Sequence, residues 1–497
     1  MQFTSIVFLP FLAATLVAYY ATPLRFRWLA LLVGSGAFYL ASDANHMAVL
    51  AGLTLLSCWI GLKLGAGPTE RRSRGYLGMG LSAIFLVVAV VRLLPLVLPS
   101  LPTPIAPLGL SFFSLRLAGY LIDVSRGTIG PERHPGIFAT YAAVLPELPS
   151  GPIERGGALL PQLHAPARLR VDAIPEGMKL FAWGLFKKVV VADRLGLFVG
   201  AFFDEPNAFA GAAPAAATLY FAFQVYCDFS GYSDMAIGIG QMFGLRLAKN
   251  FERPYTARSI AEFWTRWHIS LSSWLRDYVF VPVVYRAGRA LEGRLPRRSA
   301  EDKLAYAIAT TTTMLACGLW HGVRLTYVIW ALFLAVVMVL SVFTRRLRTR
   351  LARRLYGGRF RLMHDAVRVI VTFSLINISW VVFRSHSLVQ ARGVLMSIPK
   401  GIVEHLSWIL ASAASGQVTG GGLLVPLLMG QTRLDLLVVV LGTGAVLLVE
   451  SLQRSGSVRD RVRRLPVFVR WPMYAAFLVL IVVLQTQTAS RFIYQGF

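Results

Sequence analysis

The amino-acid sequence predicts an all-α integral membrane protein with about nine to eleven spanning helices. Of its 497 residues, 56% are apolar and only 15% are charged, whereas about a quarter of the residues in a soluble protein are charged. Several apolar runs are long enough to cross a hydrocarbon core of about 30 Å. The clearest runs occupy residues 4–20, 47–64, 81–98, 208–227, 323–343, 367–383 and 434–449. Together these observations exclude a soluble globular protein.

The first apolar run starts close to residue 1. A cleavable signal peptide has a basic segment before its apolar run and a small-residue cleavage site after it, and residues 1–20 show neither feature clearly. We therefore expect residues 1–20 to remain as the first span.

The net charge of +26 comes from short basic loops between the apolar runs. Residues 345–361 contain eight arginines and no acid, and residues 454–470 contain six arginines and one aspartate. Such loops stay on the cytoplasmic side of a membrane, and the same rule applied to Arg25, Arg27 and residues 71–74 places the N-terminus outside. This pattern favours a membrane protein over a nucleic-acid binder, and it suits the loops to acidic partners or anionic lipid.

The middle of the chain has shorter apolar stretches. Residues 102–152 and 227–285 are interrupted by Pro, Gly and charged residues. Non-spanning backbone at membrane depth is tolerated only where protein covers it or a water-filled cavity adjoins it, so we expect re-entrant or in-plane helices that line a site. The whole chain is predicted to be one membrane domain. Its N-terminal spans, catalytic core and C-terminal spans are placed at residues 1–100, 101–345 and 346–497.

A stripe of aromatic residues follows a predicted helix start. Ser259 and Glu262 have the spacing of a capping box, which begins a helix. Apolar side chains and one histidine then recur at helical spacing, which predicts one amphipathic helix. They are Trp264, Trp267, His268, Leu271, Trp274, Leu275 and Tyr278. Two interpretations of His268 stay open: a core residue of an interfacial anchor helix, or a functional group.

A second histidine, His321, lies in the sequence Gly-Leu-Trp-His-Gly between two apolar runs. Ionisable residues at membrane depth are costly and usually functional, and imidazole can act as a general base near neutral pH. A histidine packed in a hairpin is the alternative. The remaining six histidines lie in loops or beside charged and polar residues, which is typical of surface positions. They are His46, His134, His164, His364, His386 and His405.

Other types of site find little support in the sequence. No nucleophile elbow, zinc-binding H-E-x-x-H motif or P-loop occurs. The three cysteines, Cys58, Cys227 and Cys317, lie in apolar stretches without metal-binding or disulfide spacing. Cys317 precedes His321 by one helical turn, which would allow a transient acyl-thiol, but simple packing is the favoured interpretation.

The motifs around His268 resemble those of a known family. Residues 228–238, 250–255 and 262–278 read DFSGYSDMAIG, NFERPY and EFWTRWHISLSSWLRDY. They resemble the membrane-bound O-acyltransferase family, in its bacterial branch of alginate O-acetyltransferase-like proteins. Further matching segments extend over almost the whole chain, at residues 107–112, 120–123, 150–153, 184–193, 318–322 and 492–494.

The resemblance implies a ring of helices around a central tunnel, with acyl transfer at its centre. The donor would be a cytoplasmic thioester, either acetyl-CoA or an acyl carrier protein, and neither a bound cofactor nor a metal is expected. His321 matches the family's essential histidine and would be the general base, while His268 would orient groups or stabilise charge. A covalent acyl-histidine is a further option. Substrate-binding candidates are Trp320, Trp267, Ser272, Asp228, Tyr232 and Arg266.

The acceptor implied by the resemblance is a hydroxyl of an exported cell-surface polysaccharide. This places the protein in the bacterial inner membrane, where a periplasmic acyltransferase and a polysaccharide synthase or export complex are potential partners. Two alternative functions are D-alanyl transfer to teichoic acid and a non-catalytic role as a multi-pass transporter or scaffold. Transport sites typically show paired intramembrane acids or symmetric half-repeats, and the sequence shows no such repeat.

The sequence departs from the family pattern at two places. Residues 323–327 stand where a small residue, an aromatic and then an asparagine are expected, and Arg116 replaces the usual glutamine. These departures predict an unusual acceptor-side pocket. His321 also follows Lys303 by 18 residues, roughly 27 Å of helix. We therefore expect a polar tunnel that opens near residues 227–285 and ends between His268 and His321.

Overall fold

The computed structural model describes residues 1–67, 69–97, 107–166, 172–356, 360–415 and 420–486, and in these ranges the chain forms helices and turns without a β-strand. The all-α prediction is confirmed. The motif at residues 492–494 lies outside the described residues, and so does part of the segment 102–152.

The helices fall into three groups along the chain. Helices α1 to α4 of the N-terminal group are Phe8–Ala21, Arg27–Asp43, Met47–Gly65 and Glu70–Val97. Helices α5 to α15 of the central group are Leu110–Ser125, Pro135–Ala142, Gly156–His164, Ala173–Leu185, Asp193–Asp204, Ala213–Met242, Ile260–Trp264, Ile269–Leu275, Val281–Leu291, Arg298–His321 and Leu325–Phe343. Helices α16 to α22 of the C-terminal group are Arg345–Tyr356, Arg361–Arg384, Leu388–Ala414, Gly420–Leu428, Arg433–Leu452, Val458–Arg463 and Val467–Leu484.

Two π-helical stretches and several short turns complete these groups. The π-helical stretches, Phe186–Ala192 and Arg276–Phe280, continue α8 into α9 and α12 into α13. The 3₁₀ turns are Leu24–Phe26, Ala44–His46, Leu145–Glu147, Pro206–Ala208, Pro254–Thr256 and Gln453–Ser455.

Seven segments of the described chain are long and apolar enough to cross a membrane. They are Leu24–Gly65, Glu70–Leu94, Leu325–Phe343, Arg361–Arg384, Leu388–Ala414, Arg433–Leu452 and Val467–Leu484. The first of these segments contains both α2 and α3, and α1 is a shorter apolar helix of 14 residues. The protein is therefore a multi-pass membrane protein, as the apolar runs predict.

The 30-residue helix α10 forms the centre of the fold and packs closely on α8. Gly177 and Gly184 of α8 face Gly238 and Gly231 of α10, and a Cβ atom at any of the four would collide with the backbone of the opposite helix. Small residues at such contacts let membrane helices approach closely.

Buried ion pairs reinforce the same contact. Lys188 pairs with Asp193 and with Asp228, each at 2.7 Å, and Lys187 pairs with Asp234 at 2.6 Å. The π-helical stretch after α8 places these two successive lysines against α10. Charges at membrane depth are tolerated when they are paired in this way.

The departure at Arg116 is explained inside the core. Arg116 is 2% exposed and forms an ion pair with Glu147, which is 1% exposed. The guanidinium also donates to the carbonyl oxygen of Tyr141 at 3.0 Å. The arginine therefore has a packing role between α5 and the segment that follows α6, and its effect on an acceptor pocket stays a prediction.

Candidate active site

His321 is the last residue of α14 and is only 3% exposed. Four aromatic rings surround its imidazole. The ring centroids of Trp320, Tyr327, Trp330 and Phe383 lie 4.8, 6.3, 5.3 and 5.1 Å away. These rings come from α14, α15 and α17, and together they exclude water from the imidazole. Exclusion of water protects reactive acyl groups from hydrolysis.

Gly322 explains why α14 ends directly after His321. Its φ of 157° lies at the edge of the region that favours glycine, and its N–H bonds the carbonyl of Gly318 at 3.2 Å. A Cβ atom at this position would lie 2.9 Å from the Tyr327 ring. A glycine here therefore lets Tyr327 of α15 pack beside the histidine.

His268 occupies a turn between two short helices. The sequence predicted one continuous helix from residue 259, and the start at Ser259 is confirmed because its hydroxyl accepts from the N–H of Glu262. The helix nevertheless stops at Trp264, and the next begins at Ile269. His268 has φ of 42° and ψ of 55°, the left-handed conformation that few non-glycine residues adopt. The prediction of one continuous aromatic helix was wrong.

Asn250 holds this turn in place. Its side-chain oxygen lies 3.0 Å from Nδ1 of His268 and accepts hydrogen bonds from the backbone N–H and the hydroxyl of Ser270. Its amide nitrogen donates to Ser233 at 3.1 Å. Because the oxygen can only accept, Nδ1 of His268 carries the proton, and the neutral ring has its lone pair on Nε2.

Trp320 links the two histidines. Its ring centroid lies 4.8 Å from that of His321 and 5.8 Å from that of His268. The two imidazoles also lie within electrostatic range of each other. Phe112, at 5.4 Å from Trp320 and 6.2 Å from His268, covers the same group. The structure therefore brings His268 together with the adjacent residues Trp320 and His321, which follow it by more than 50 residues in the sequence.

Two further substrate-binding candidates lie close to His268, and their contacts stabilise the fold. Trp267 is 1% exposed and packs against Phe263 and Trp380 at centroid distances of 5.4 and 5.2 Å. The hydroxyl of Ser272 donates to the carbonyl of Trp267 at 3.0 Å, which closes the turn. Their role in substrate binding stays a prediction.

The remaining three candidates have partners elsewhere. Asp228 pairs with Lys188 in the buried charge cluster, although the next residue, Phe229, contacts His268 at 4.5 Å. The Tyr232 ring stacks on Phe3 at 4.9 Å. Arg266 pairs with Glu262 and donates to Thr256.

One cavity lies beside Tyr232. It measures about 180 Å³. Its lining residues are Met1, Gln2, Phe3, Thr4, Ser42, Leu108, Pro149, Lys188 and Tyr232. Neither His268 nor His321 lines it, so the tunnel expected between the histidines stays a prediction.

Asn250 is a site residue that sequence reasoning passed over. It begins the motif NFERPY, 18 residues before His268. The motif as a whole carries the family resemblance, but the local sequence does not indicate that this amide reaches the later histidine. The available signal was a single polar residue at the start of a motif that carries the family resemblance.

The comparisons with known proteins agree with this arrangement. A model of the membrane-bound O-acyltransferase family matches residues 138–383. A probable alginate O-acetylase of Pseudomonas putida is 34% identical over 446 residues, covering 84% of this chain and 84% of that protein. A peptidoglycan O-acetyltransferase of Helicobacter pylori is 29% identical over 438 residues, covering 80% and 78%. A teichoic acid D-alanyltransferase of Streptococcus thermophilus is 26% identical over 294 residues, covering 56% and 68%.

A multi-pass helical fold and this level of identity define a membrane enzyme that transfers acyl groups. The chain belongs to the membrane-bound O-acyltransferase family, as its motifs predict. The alternative of a non-catalytic transporter or scaffold is accordingly set aside.

Proposed function

We propose that this acyltransferase moves an acetyl group from a cytoplasmic thioester to hydroxyls of an exported cell-surface polysaccharide. His321 is the general base and His268 a supporting group. The observation that carries the proposal is the burial of both imidazoles against the same indole, that of Trp320. Two histidines gathered from distant segments in one enclosed place are suited to proton transfer during acyl transfer.

The chemistry requires a base because a hydroxyl is a weak nucleophile until its proton is removed. His321 takes the proton of the acceptor hydroxyl as the new C–O bond forms at the thioester carbonyl. The tetrahedral intermediate then collapses, the C–S bond breaks, and the proton passes from His321 to the leaving thiolate. The protein is returned to its starting state without a bound cofactor.

The hydrogen bond to Asn250 indicates which role suits His268. With the proton on Nδ1, the neutral ring presents an acceptor at Nε2. An acceptor orients a hydroxyl, whereas stabilising an oxyanion would require a donor. Of the two supporting roles considered for His268, the orientation of the acceptor hydroxyl is therefore favoured.

The departure at residues 323–327 supports an acidic acceptor. Arg324 is exposed, and both Arg324 and Arg384 lie within electrostatic range of Tyr327. Arg384 also lies 3.8 Å from Asp204. Both arginines stand at the ends of α15 and α17 remote from the basic helix α16. If α16 is cytoplasmic, they face the outer side, where guanidinium groups can pair with carboxylates or phosphates of a polysaccharide.

The acyl group of the donor has to cross most of the membrane thickness to reach His321. Helix α14 is 24 residues long, about 36 Å, and its basic start lies at the cytoplasmic end in the proposed topology. A phosphopantetheine arm of CoA or of an acyl carrier protein spans only part of that length. The proposal therefore includes the polar tunnel, with a periplasmic acyltransferase and an export complex as partners at the outer end.

Proteoliposomes provide the test of this function. Radiolabelled acetyl-CoA, or an acetylated carrier protein, is supplied on the side of α16, with a uronic-acid polymer or a neutral glucan on the other side. We expect His321-dependent acetyl esters on the acidic polymer. Label that appears on the polymer equally well in His321→Ala protein contradicts the mechanism, and transfer only of D-alanine from its carrier would favour the teichoic-acid alternative.

The proposed inner-membrane topology, with the N-terminus outside, has its own test. The three native cysteines are buried, so a single cysteine introduced at an exposed site reports its side of the membrane. Leu355→Cys in α16, where the side chain is 68% exposed, is expected to react with an impermeant maleimide only after permeabilisation. Val323→Cys at the opposite end of α15 is the matched control and should react in intact spheroplasts. Labelling of residue 355 in intact spheroplasts would reverse the topology.

A further inference from the structure

Arg92 is a charged residue within an apolar span. It belongs to α4, and an 18-residue window of the segment Glu70–Leu94 has a mean hydropathy of 2.4. An ionisable side chain in such a segment is costly and is retained where it serves a purpose. Nothing in the sequence motifs or in the chemistry described above accounts for this arginine.

The guanidinium of Arg92 reaches across to the end of α14. One nitrogen, Nη1, donates to the carbonyl of Leu319 at 2.5 Å. The other, Nη2, donates to the carbonyl of Trp320 and to the hydroxyl of Ser111 at 2.9 Å. These two carbonyls belong to the residues directly before His321. The guanidinium is also within electrostatic range of His321 itself.

The end of a helix needs such a partner. The last four carbonyl groups of an α-helix have no intrahelical donor, and here α14 ends at His321. Arg92 satisfies two of these carbonyls, and its positive charge is favourable beside the negative end of the helix dipole. The planar guanidinium reaches two acceptors together, whereas a lysine ammonium would act as a single point charge.

Ser111, at the start of α5, joins this contact from a second direction. Its hydroxyl accepts from Arg92, and its backbone carbonyl accepts from Nε1 of Trp320 at 3.1 Å. The indole of Trp320 is thereby fixed between the two histidines. Arg92 and Ser111 thus connect α4 and α5 to the segment that carries both Trp320 and His321.

We infer that Arg92 is a positioning residue that sets the location of His321 through the end of α14. This inference rests on the proposed role of His321. Arg92 is not assigned to contact substrate. Misplacement of a catalytic group by about 1 Å can cost roughly 10²-fold in rate, so the loss of this contact should lower turnover more than substrate binding.

The test uses the full-length protein in lipid nanodiscs, with kcat and KM measured for the thioester donor. We expect Arg92→Met to lower kcat by about 10²-fold with KM for the donor nearly unchanged. Arg92→Lys should recover part of the loss, because it keeps the charge but not the two-carbonyl contact. Arg74→Met is the matched control on the same helix, since Arg74 pairs with Glu70 at an exposed site, and it should leave kcat unchanged.

The outcomes separate this inference from the proposed function. Wild-type kcat in Arg92→Met protein, with His321→Ala inactive, overturns the positioning role and leaves His321 as the base. Activity in His321→Ala protein overturns the proposed function instead. If Arg92→Met protein does not fold, Arg92→Lys and Ser111→Ala decide: lowered kcat with unchanged KM supports the inference, and wild-type kinetics in both variants overturns it.

Discussion

The two histidines are equally buried, but different physical means hold them in place. His321 stands at the end of a 24-residue helix, and rings from α14, α15 and α17 enclose it. His268 stands in a left-handed turn between helices of five and seven residues, and one amide, that of Asn250, bonds its ring. Aromatic packing holds His321, whereas His268 has aromatic contacts from Phe112, Phe229 and Trp320 and, in addition, a small polar network.

This difference predicts different sensitivities. A position enclosed by several aromatic rings tolerates the loss of one ring contact, whereas a left-handed turn held by one amide is more sensitive to the loss of that amide. Left-handed backbone at a non-glycine residue costs roughly 1–3 kcal/mol and persists only where neighbours enforce it. Such strain at His268 accordingly points to a functional requirement for the ring at that place.

The largest effect is expected at His321. His321→Ala should lower the rate of acyl transfer by about 10²–10⁴-fold, because it removes the proposed general base, while the protein still inserts and folds. The rate is measured as acetyl ester formed per minute by nanodisc-reconstituted protein. Cys317→Ala, one helical turn earlier on α14 and equally buried, is the control and should stay active. Inactive Cys317→Ala protein beside active His321→Ala protein would favour the acyl-thiol route.

A smaller effect is expected at His268. His268→Ala should also lower kcat, but the kcat of this variant should stay at least tenfold higher than that of His321→Ala. The reason is that orienting a hydroxyl contributes less to the rate than removing its proton. Measurements of kcat and KM for both substrates separate the two roles. An inactive His268→Ala variant beside an active His321→Ala variant would reverse the assignment.

Asn250 provides a sharper test of the network around His268. Asn250→Ala removes the acceptor for Nδ1 while the histidine remains, so we expect a decrease in kcat of about tenfold, no larger than that of His268→Ala. The double variant should lose little beyond His268→Ala alone, since residues in one hydrogen-bonded network are not additive. Asn250→Asp keeps an acceptor and should retain more activity than Asn250→Ala. Additive losses in the double variant would mean that the amide acts independently of the ring.

The sequence predicted helices well where a single continuous apolar run forms the helix. Residues 323–343 were predicted as a span, and α15 is Leu325–Phe343; residues 434–449 lie within α20, Arg433–Leu452. Helical spacing failed at His268 because the aromatic periodicity continues through the turn. The break depends on Asn250, which lies 18 residues earlier, and on a backbone conformation that periodicity does not encode.

The sequence also predicted part of the candidate site. His321, His268 and Trp320 lie close together in the structure, and all three belong to the motifs that carry the family resemblance. The contacts that enclose them are nonlocal: Phe383 reaches His321 from α17, and Arg92 reaches Trp320 from α4. Such contacts depend on how the helices pack, which the spacing of residues along one helix cannot specify.

The smallest effect is expected at Arg266, which the motif suggested as a substrate-binding residue. Arg266 pairs with Glu262 at 2.5 Å in the i, i+4 arrangement and donates to Thr256 at 2.9 Å, with both charged side chains about a third exposed. A partly exposed pair of this kind contributes less than about 1 kcal/mol. Arg266→Ala should therefore lower the midpoint of thermal unfolding only slightly and leave kcat and KM within about twofold of wild type, as should Glu262→Ala. A tenfold rise in KM for the thioester donor in Arg266→Ala protein alone, with unchanged thermal stability, would instead establish Arg266 as a donor contact and extend the site from the two histidines to the turn that follows α11.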